Sequence, residues 1–339
     1  MTPRIIDIAK EAGVSPAAVS LTLNNKPGVG SDVKQKIMAI AARMGYRTGF
    51  KDLYINDHIN IRLLKIAKHG HIINERHNSF ITEYLEGIET AARLRHYKLE
   101  VSFFNHVPIE EIVTIQKGSA VDGLIVLGTE LNAHELSFFT SLSVPVVFID
   151  TYFPLSVYDC IDMDNADGVF RAIQYLYNCG HRNIGLVKST YETKNFKMRE
   201  AGFQEAMDYF SLPVQKKNIV SIDPAFEQAV IGMNVYLNKN NKMPTAFFCM
   251  NDIIAYGCMK GFRDRGYTIP DDVSIIGFDD LPSSSITDPP LTSVRVSTHK
   301  IGQRALEKLA ERIFKPEENI PENILISGKI VIRDSVKKI

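Results

Sequence analysis

Apolar positions in the first 46 residues repeat with a helical period. Ile5, Ile8, Ala9 and Ala12 fall on one face, and Gly13 stops that helix. A second helix opens at Ser15-Pro16, where serine caps free N–H groups and proline suits the first turn. Ala18, Val19 and Thr22 give it an inward stripe, and it ends near Asn24-Asn25. After the Lys26-Pro27-Gly28 turn, Ser31 is placed to cap a third helix. Its stripe of Val33, Ile37, Ile40, Ala41 and Met44 runs to Gly45. With small Ala9 at the crossing and Gly13 in the turn, the three helices describe either a helix-turn-helix or a plain three-helix bundle.

From residue 61 the period changes. Apolar runs at 61–67, 99–104, 123–127, 144–149, 184–187, 245–250 and 273–278 read as strands. Helical stretches lie between them, including 80–96, 166–179, 198–210, 225–237, 252–265 and 299–314. Buried strands separated by helices predict parallel sheets covered on both faces. Seven or more such units in residues 61–339 exceed one compact sheet and predict two lobes. The default ligand site is then the cleft at the carboxyl ends of the strands.

Composition adds exclusions. The 339 residues are 45% hydrophobic and 23% charged, which rules out a disordered or fibrous chain. No apolar run approaches the roughly 18 residues of a membrane span, and no signal-peptide core is expected at the N-terminus. Cys160, Cys179, Cys249 and Cys258 are far apart and form no paired motif, so the expectation is a reduced, cytoplasmic protein. The net charge of zero hides an asymmetry. Residues 1–51 carry eight basic side chains against three acidic ones, a net of +5, so residues 52–339 sum to −5. A basic head leading an acidic body points toward nucleic acid.

The residues of the head carry a resemblance. Asp7-Ile8-Ala9-Lys10-Glu11-Ala12-Gly13-Val14-Ser15, then Val19-Ser20-Leu21-Thr22-Leu23-Asn24, then Gly45-Tyr46 resemble the head of the lactose-repressor (LacI/GalR) family. The resemblance implies that residues 15–23 form a recognition helix in the major groove of an operator. Pro16, Ala17 and Leu21 would then face base edges, offering only apolar contact such as a thymine methyl. Ser15, Ser20, Asn24 and Lys34 suit phosphates. In the family the next segment reads Pro-Asn-x-x-Ala-x-x-Leu and forms a hinge helix whose leucine wedges into the minor groove. Here Asp52 replaces the small alanine in Arg47-Thr48-Gly49-Phe50-Lys51-Asp52-Leu53-Tyr54-Ile55. Leu53 or Ile55 is the remaining wedge candidate, and DNA bending stays open.

The body resembles the same family throughout. Val121-Asp122-Gly123-Leu124-Ile125, Pro145-Val146-Val147-Phe148-Ile149-Asp150 and Gly180-His181-Arg182-Asn183-Ile184 match its core blocks. So do Arg199-Glu200-Ala201-Gly202-Phe203, Asn251-Asp252-Ile253-Ile254-Ala255, Gly277-Phe278-Asp279-Asp280 and Leu291-Thr292-Ser293-Val294. The implied fold is an all-α helix-turn-helix head on an α/β body, two-lobed and periplasmic-binding-protein-like, with parallel sheets. The expected boundaries are 1–46 for the head, 47–60 for the linker and 61–339 for the body. One lobe takes about 61–160 plus 293–320, and the other about 161–292 plus 321–339. The family places an arginine, here Arg199, on the effector's oxygens, with Asn251, Asp279 and Asp150 as further anchors. Phe80, in Asn78-Ser79-Phe80-Ile81, is the stacking candidate, and Asn195, Phe196 and Phe226 lie on loops nearby. Asp252 and Asp280 read as caps, and Arg182 as a structural partner.

Residues 68–77 are longer than the family's usual connection and hold His69, His71 and His77. No carboxylate or cysteine set at ligand spacing accompanies them, so neither a metal nor a cofactor is expected. No catalytic motif is present. Gly28-Val29-Gly30 follows a helix and lacks the third glycine of a dinucleotide loop. Two functions remain. One is a homodimeric transcriptional regulator, a repressor binding pseudo-palindromic operator DNA under the control of a carbohydrate-like effector. The other is a solute-binding protein, which would need export and no basic head.

Overall fold

The computed structural model describes residues 4–23, 28–44, 59–73, 78–239, 242–317 and 320–339. Asn24, residues 47–58 of the expected linker with Leu53 and Ile55, and His77 lie outside the described residues.

The head contains α1 (Ile5–Ala12), α2 (Pro16–Leu23) and α3 (Ser31–Arg43). Asp7 accepts the Arg4 N–H at 2.9 Å where α1 begins. Gly13 ends α1 at φ +71°, a left-handed position that glycine adopts without strain, and donates to the Ala9 carbonyl. Ser15 caps α2 by accepting the Ala18 N–H at 3.1 Å, as the sequence predicts. At α3 the cap position falls one residue earlier than expected. Lys34 N–H donates to the Gly30 carbonyl at 2.9 Å, which makes Gly30 the cap and Ser31 the first helical residue. Ile8, Val19 and Ile37 meet in the core at 0% exposure, and burying each contributes about 1.5–3 kcal/mol. Val33, expected in the inward stripe, is exposed instead.

The body holds two six-stranded sheets. The first uses β1 (Asn60–Ala67), β2 (Lys98–Asn105), β3 (Gly123–Leu127), β4 (Val146–Ile149), β5 (Asp159–Met163) and, late in the chain, β11 (Asn323–Ile326). The second uses β6 (Ile184–Ser189), β7 (Ile219–Ile222), β8 (Ala246–Cys249), β9 (Ser274–Asp279), β10 (Thr292–Arg295) and β12 (Lys329–Val331). Their orders are β11-β5-β4-β3-β1-β2 and β12-β10-β9-β8-β6-β7. Pairing is parallel from β1 to β3, β4, β5 and β11, and among β6 to β10. β12 is the exception, running antiparallel to β10.

The covering helices are α4 (Asn78–Leu94), α5 (Ile109–Lys117), the single turn α6 (Ala133–Leu136) and α7 (Asn165–Asn178). They continue with α8 (Lys194–Tyr209), α9 (Phe226–Lys239), α10 (Asp252–Asp264) and α11 (Thr298–Phe314). α4 and α11 touch backbone to backbone. A β-carbon at Gly87 would collide with the His299 carbonyl, and one at Gly302 with the Tyr84 carbonyl.

The chain passes between the sheets after Met163, after Arg295 and after Ile326. Each passage falls three to six residues later than the boundaries expected at 160, 292 and 320. β5, β10 and β11 complete their own sheets before the chain leaves, so β10 belongs with 165–291 and β11 with 60–163.

Candidate functional site

Parallel strands leave their carboxyl ends on one edge, and the chain turns there to expose polar groups. Every central member of the cleft sits just beyond such an end: Thr129 after β3, Asp150 after β4, Asn165 after β5, Asn251 after β8, and Asp279 closing β9. Thr193, Asn195, Phe196 and Arg199 come from the start of α8, and Phe80 and Ile81 from α4. The structure gathers seven of the eight expected effector residues, Phe80, Asp150, Asn195, Phe196, Arg199, Asn251 and Asp279, around one cavity. Its free volume is about 40 Å³. Phe226 is not among them. It opens α9, with its carbonyl facing Gly257 of α10.

Asp150 is a saturated carboxylate. Its Oδ1 accepts from Tyr84 Oη and Asn195 Nδ2, both at 3.0 Å, and its Oδ2 accepts from the Thr129 hydroxyl. Burial pushes its pKa up, while Thr129, Tyr84 and Arg199 pull it back. Asn195 also donates to the Asp150 carbonyl at 3.1 Å and accepts from Asn165 at 3.2 Å. Asp150 belongs to the first sheet and Asn195 to α8 beside the second, so this amide bridges the lobes.

Arg199 is 3% exposed and largely consumed within the protein. Its Nε donates to Asn165 Oδ1 at 2.8 Å and Nη1 to the Met250 carbonyl at 2.6 Å. Nη2 lies 3.0 Å from Met163 sulfur and 3.2 Å from Asp279 Oδ1. The guanidinium also covers the Phe278 ring at 3.8 Å. Asp279 Oδ1 is therefore close to a cation, yet it accepts no well-aligned hydrogen bond among the described residues. Burial pushes the Asp279 carboxyl up to about 8, against the pull of Arg199. Its φ of +109° is unusual for a non-glycine residue, and backbone strain of this kind collects at functional sites.

Asn251 caps α10, accepting the Ile254 N–H at 2.9 Å. Asp252 ties the next turn together, accepting from Leu281 N–H and from the Ser284 and Ser293 hydroxyls at 2.6–2.8 Å. Asp280 pairs with Arg295 and Arg333, and Arg182 stacks on Tyr177 at 3.8 Å.

Sequence reasoning missed Thr129 and Thr193, which line the cavity, and five further contributors. Tyr84 stands one turn beyond Phe80 on α4, a spacing that would have exposed it. Asn165 follows Asp164, which caps α7 through its side chain. Asp162 is fully buried, with one carboxylate oxygen unpartnered among the described residues, and burial drives its pKa well up. Ile72 and Ile73 line the cavity from the connection after β1.

In the head, Ser15, Pro16 and Ala17 are exposed on the first turn of α2, while Ser20 and Leu21 are half-buried. Lys34 is half-buried on α3. Val19, Thr22 and Leu23 face the core, so α2 presents one open face.

Residues 4–49 match the family described as bacterial regulatory proteins, lacI family, and residues 173–336 match a periplasmic binding protein-like domain. The HTH-type transcriptional repressor PurR of Haemophilus influenzae is 29% identical over 344 residues, covering 99% of both chains. Among solved structures, a CelR–cellobiose complex superposes with a TM-score of 0.73 at 21% identity, covering 98% of this chain and 99% of that one. The lac repressor dimer bound to operator and an anti-inducer gives 0.71 at 21% identity, covering 99% and 100%. Among the described residues no helix is long and apolar enough to cross a membrane.

Proposed function

The chain belongs to the lacI family of bacterial regulatory proteins, and we propose that it is a repressor whose hold on operator DNA is set by a carbohydrate effector bound between the lobes. The observation that carries this reading is the convergence of Phe80, Asp150, Asn195, Phe196, Arg199, Asn251 and Asp279 on one cavity. Carboxylate and amide oxygens suit ring hydroxyls, which both donate and accept, and the two phenylalanines offer an apolar floor.

The DNA-facing reading rests on α2. Pro16, Ala17 and Leu21 supply apolar contacts to base edges, while Ser15, Ser20 and Lys34 suit phosphates. One head offers few contacts, so the working unit is a homodimer on a pseudo-palindromic site. The effector acts only through a difference in its affinity for two lobe arrangements.

The test is a selection of bound duplexes from a random library by the full chain, repeated with each sugar that raises its melting temperature. A two-fold symmetric site should be enriched, and a stabilising sugar should change the affinity for it. Failure to enrich any symmetric site, or a sugar that binds without changing that affinity, would sink the reading.

A further inference from the structure

The connection after β1 is held more firmly than a surface loop requires. The Glu130 side chain has no exposure and accepts backbone N–H groups from five residues. Lys68, His69 and Gly70 donate to Oε2 at 2.7, 2.9 and 3.3 Å, and Ile72 and Ile73 donate to Oε1 at 3.0 and 2.8 Å. Burial pushes this carboxyl up, but the Ile73, His69 and Ile72 N–H groups outweigh burial and bring it below its ordinary value. An anion filling a nest of donors fixes the path of the backbone around it.

His69 Nδ1 approaches Glu130 to 3.3 Å, but the same nitrogen accepts the His71 N–H at 3.2 Å and burial lowers the His69 pKa. The backbone N–H groups, rather than the imidazole, are therefore the main hold on Glu130. Lys68 reaches Glu135 at 2.6 Å, and His106 Nδ1 meets the Lys68 carbonyl at 3.0 Å, which fixes the start of the segment.

Held this way, the segment places Ile72 and Ile73 in the cavity wall. It also lays the His71 ring on Tyr191, with centroids 3.7 Å apart and planes 18° from parallel. Tyr191 follows β6 in the opposite lobe, and its N–H donates to Ser189 Oγ at 2.9 Å. Thr193, two residues on, lines the cavity, so the stacked rings join the lobes beside it. The 40 Å³ left inside holds about three waters, so an effector must part the lobes against this stack.

We propose that residues 68–73 are a strap, clasped by His71 on Tyr191, that limits the effector to the size of a single sugar ring. A ring needs only a small parting of the lobes. A second ring must pass where the strap, pinned by Glu130, meets Tyr191. The inference rests on the carbohydrate reading of the cleft.

The test uses the full chain, the double variant His71→Ser/Tyr191→Ser, and a panel of common monosaccharides and disaccharides, read as melting-temperature shifts. At least one monosaccharide should stabilise the wild type, and no disaccharide should. The double variant should gain stabilisation by a disaccharide that the wild type refuses. In small-angle scattering without sugar, the double variant should have the larger radius of gyration. A disaccharide that stabilises the wild type as strongly as any monosaccharide overturns the size limit and leaves the carbohydrate reading intact. An unchanged sugar range in the double variant, or an unchanged radius, overturns the clasp. If no sugar of either size stabilises either protein, the carbohydrate reading fails and the size limit falls with it.

Discussion

Asp150 and Asp279 occupy equivalent places in the two lobes, each at the carboxyl end of a central strand and each at positive φ. Their surroundings differ. Asp150 takes three side-chain donors and is complete without any ligand. Asp279 has one cation at 3.2 Å and a carboxylate oxygen with no aligned donor among the described residues. At Asp150 the first wall is already satisfied, while at Asp279 the second has something to gain. A ligand hydroxyl delivered to Asp279 Oδ1 adds an aligned hydrogen bond where the described residues supply none, whereas at Asp150 it must compete with protein donors.

The largest test of this contrast is Arg199→Ala. It strips Asp279 of its cation and leaves Asn165 Oδ1 and the Met250 carbonyl without their donor. Leaving buried acceptors without their donor costs about 1–3 kcal/mol each, so the loss should be about 3–5 kcal/mol in all, measurable by urea unfolding of the full chain. A loss under about 1 kcal/mol would mean that Arg199 is not the keystone of that wall.

The next is pH. Asp279 titrates at about 8 when folded and at 3.8 ordinarily, so between these values the folded state holds a proton that the unfolded state releases. Stability from this group is full below about pH 4 and is lost as pH rises toward 8. Asp279→Asn removes that dependence. Between pH 6 and 7.5 the wild type should lose about 2 kcal/mol more than the variant. Parallel pH profiles would show Asp279 to be ionised in the fold.

The smallest effect belongs to the satisfied wall. Tyr84→Phe deletes one of three donors to Asp150, and the loss should be about 1 kcal/mol by the same unfolding measurement. A loss as large as that of Arg199→Ala would erase the difference between the two walls.

The long apolar strands and the amphipathic helices were legible in the sequence because burial on both faces leaves an unbroken run. β5 was not. Two of its five residues are aspartates, yet all five are buried. Asp159 is neutralised by the two-pronged Arg312 contact at 2.6 and 2.7 Å, and burial pushes the Asp162 carboxyl well above its ordinary value. Arg312 lies 153 positions from Asp159, and the burial of Asp162 arises only in the assembled sheet, so local pattern does not show the strand. The cleft residues at strand ends were legible through the family's blocks. That Arg199 is already committed to Asn165 and Met250 was not, because those partners are 34 and 51 positions away. Phe226 fell outside the cavity because an aromatic residue after a strand serves helix packing equally well.

The pairing of Gly87 with His299 and of Gly302 with Tyr84 has a mechanical consequence. The helix that carries Phe80 and Tyr84 cannot slide along its neighbour, because the two backbones are already in contact. α11 in turn rests on β3, β4 and β5. A push on Phe80 is thus not absorbed by one loose helix, and the first lobe answers as a single lever. A methyl group at either glycine would act as a shim in its bearing.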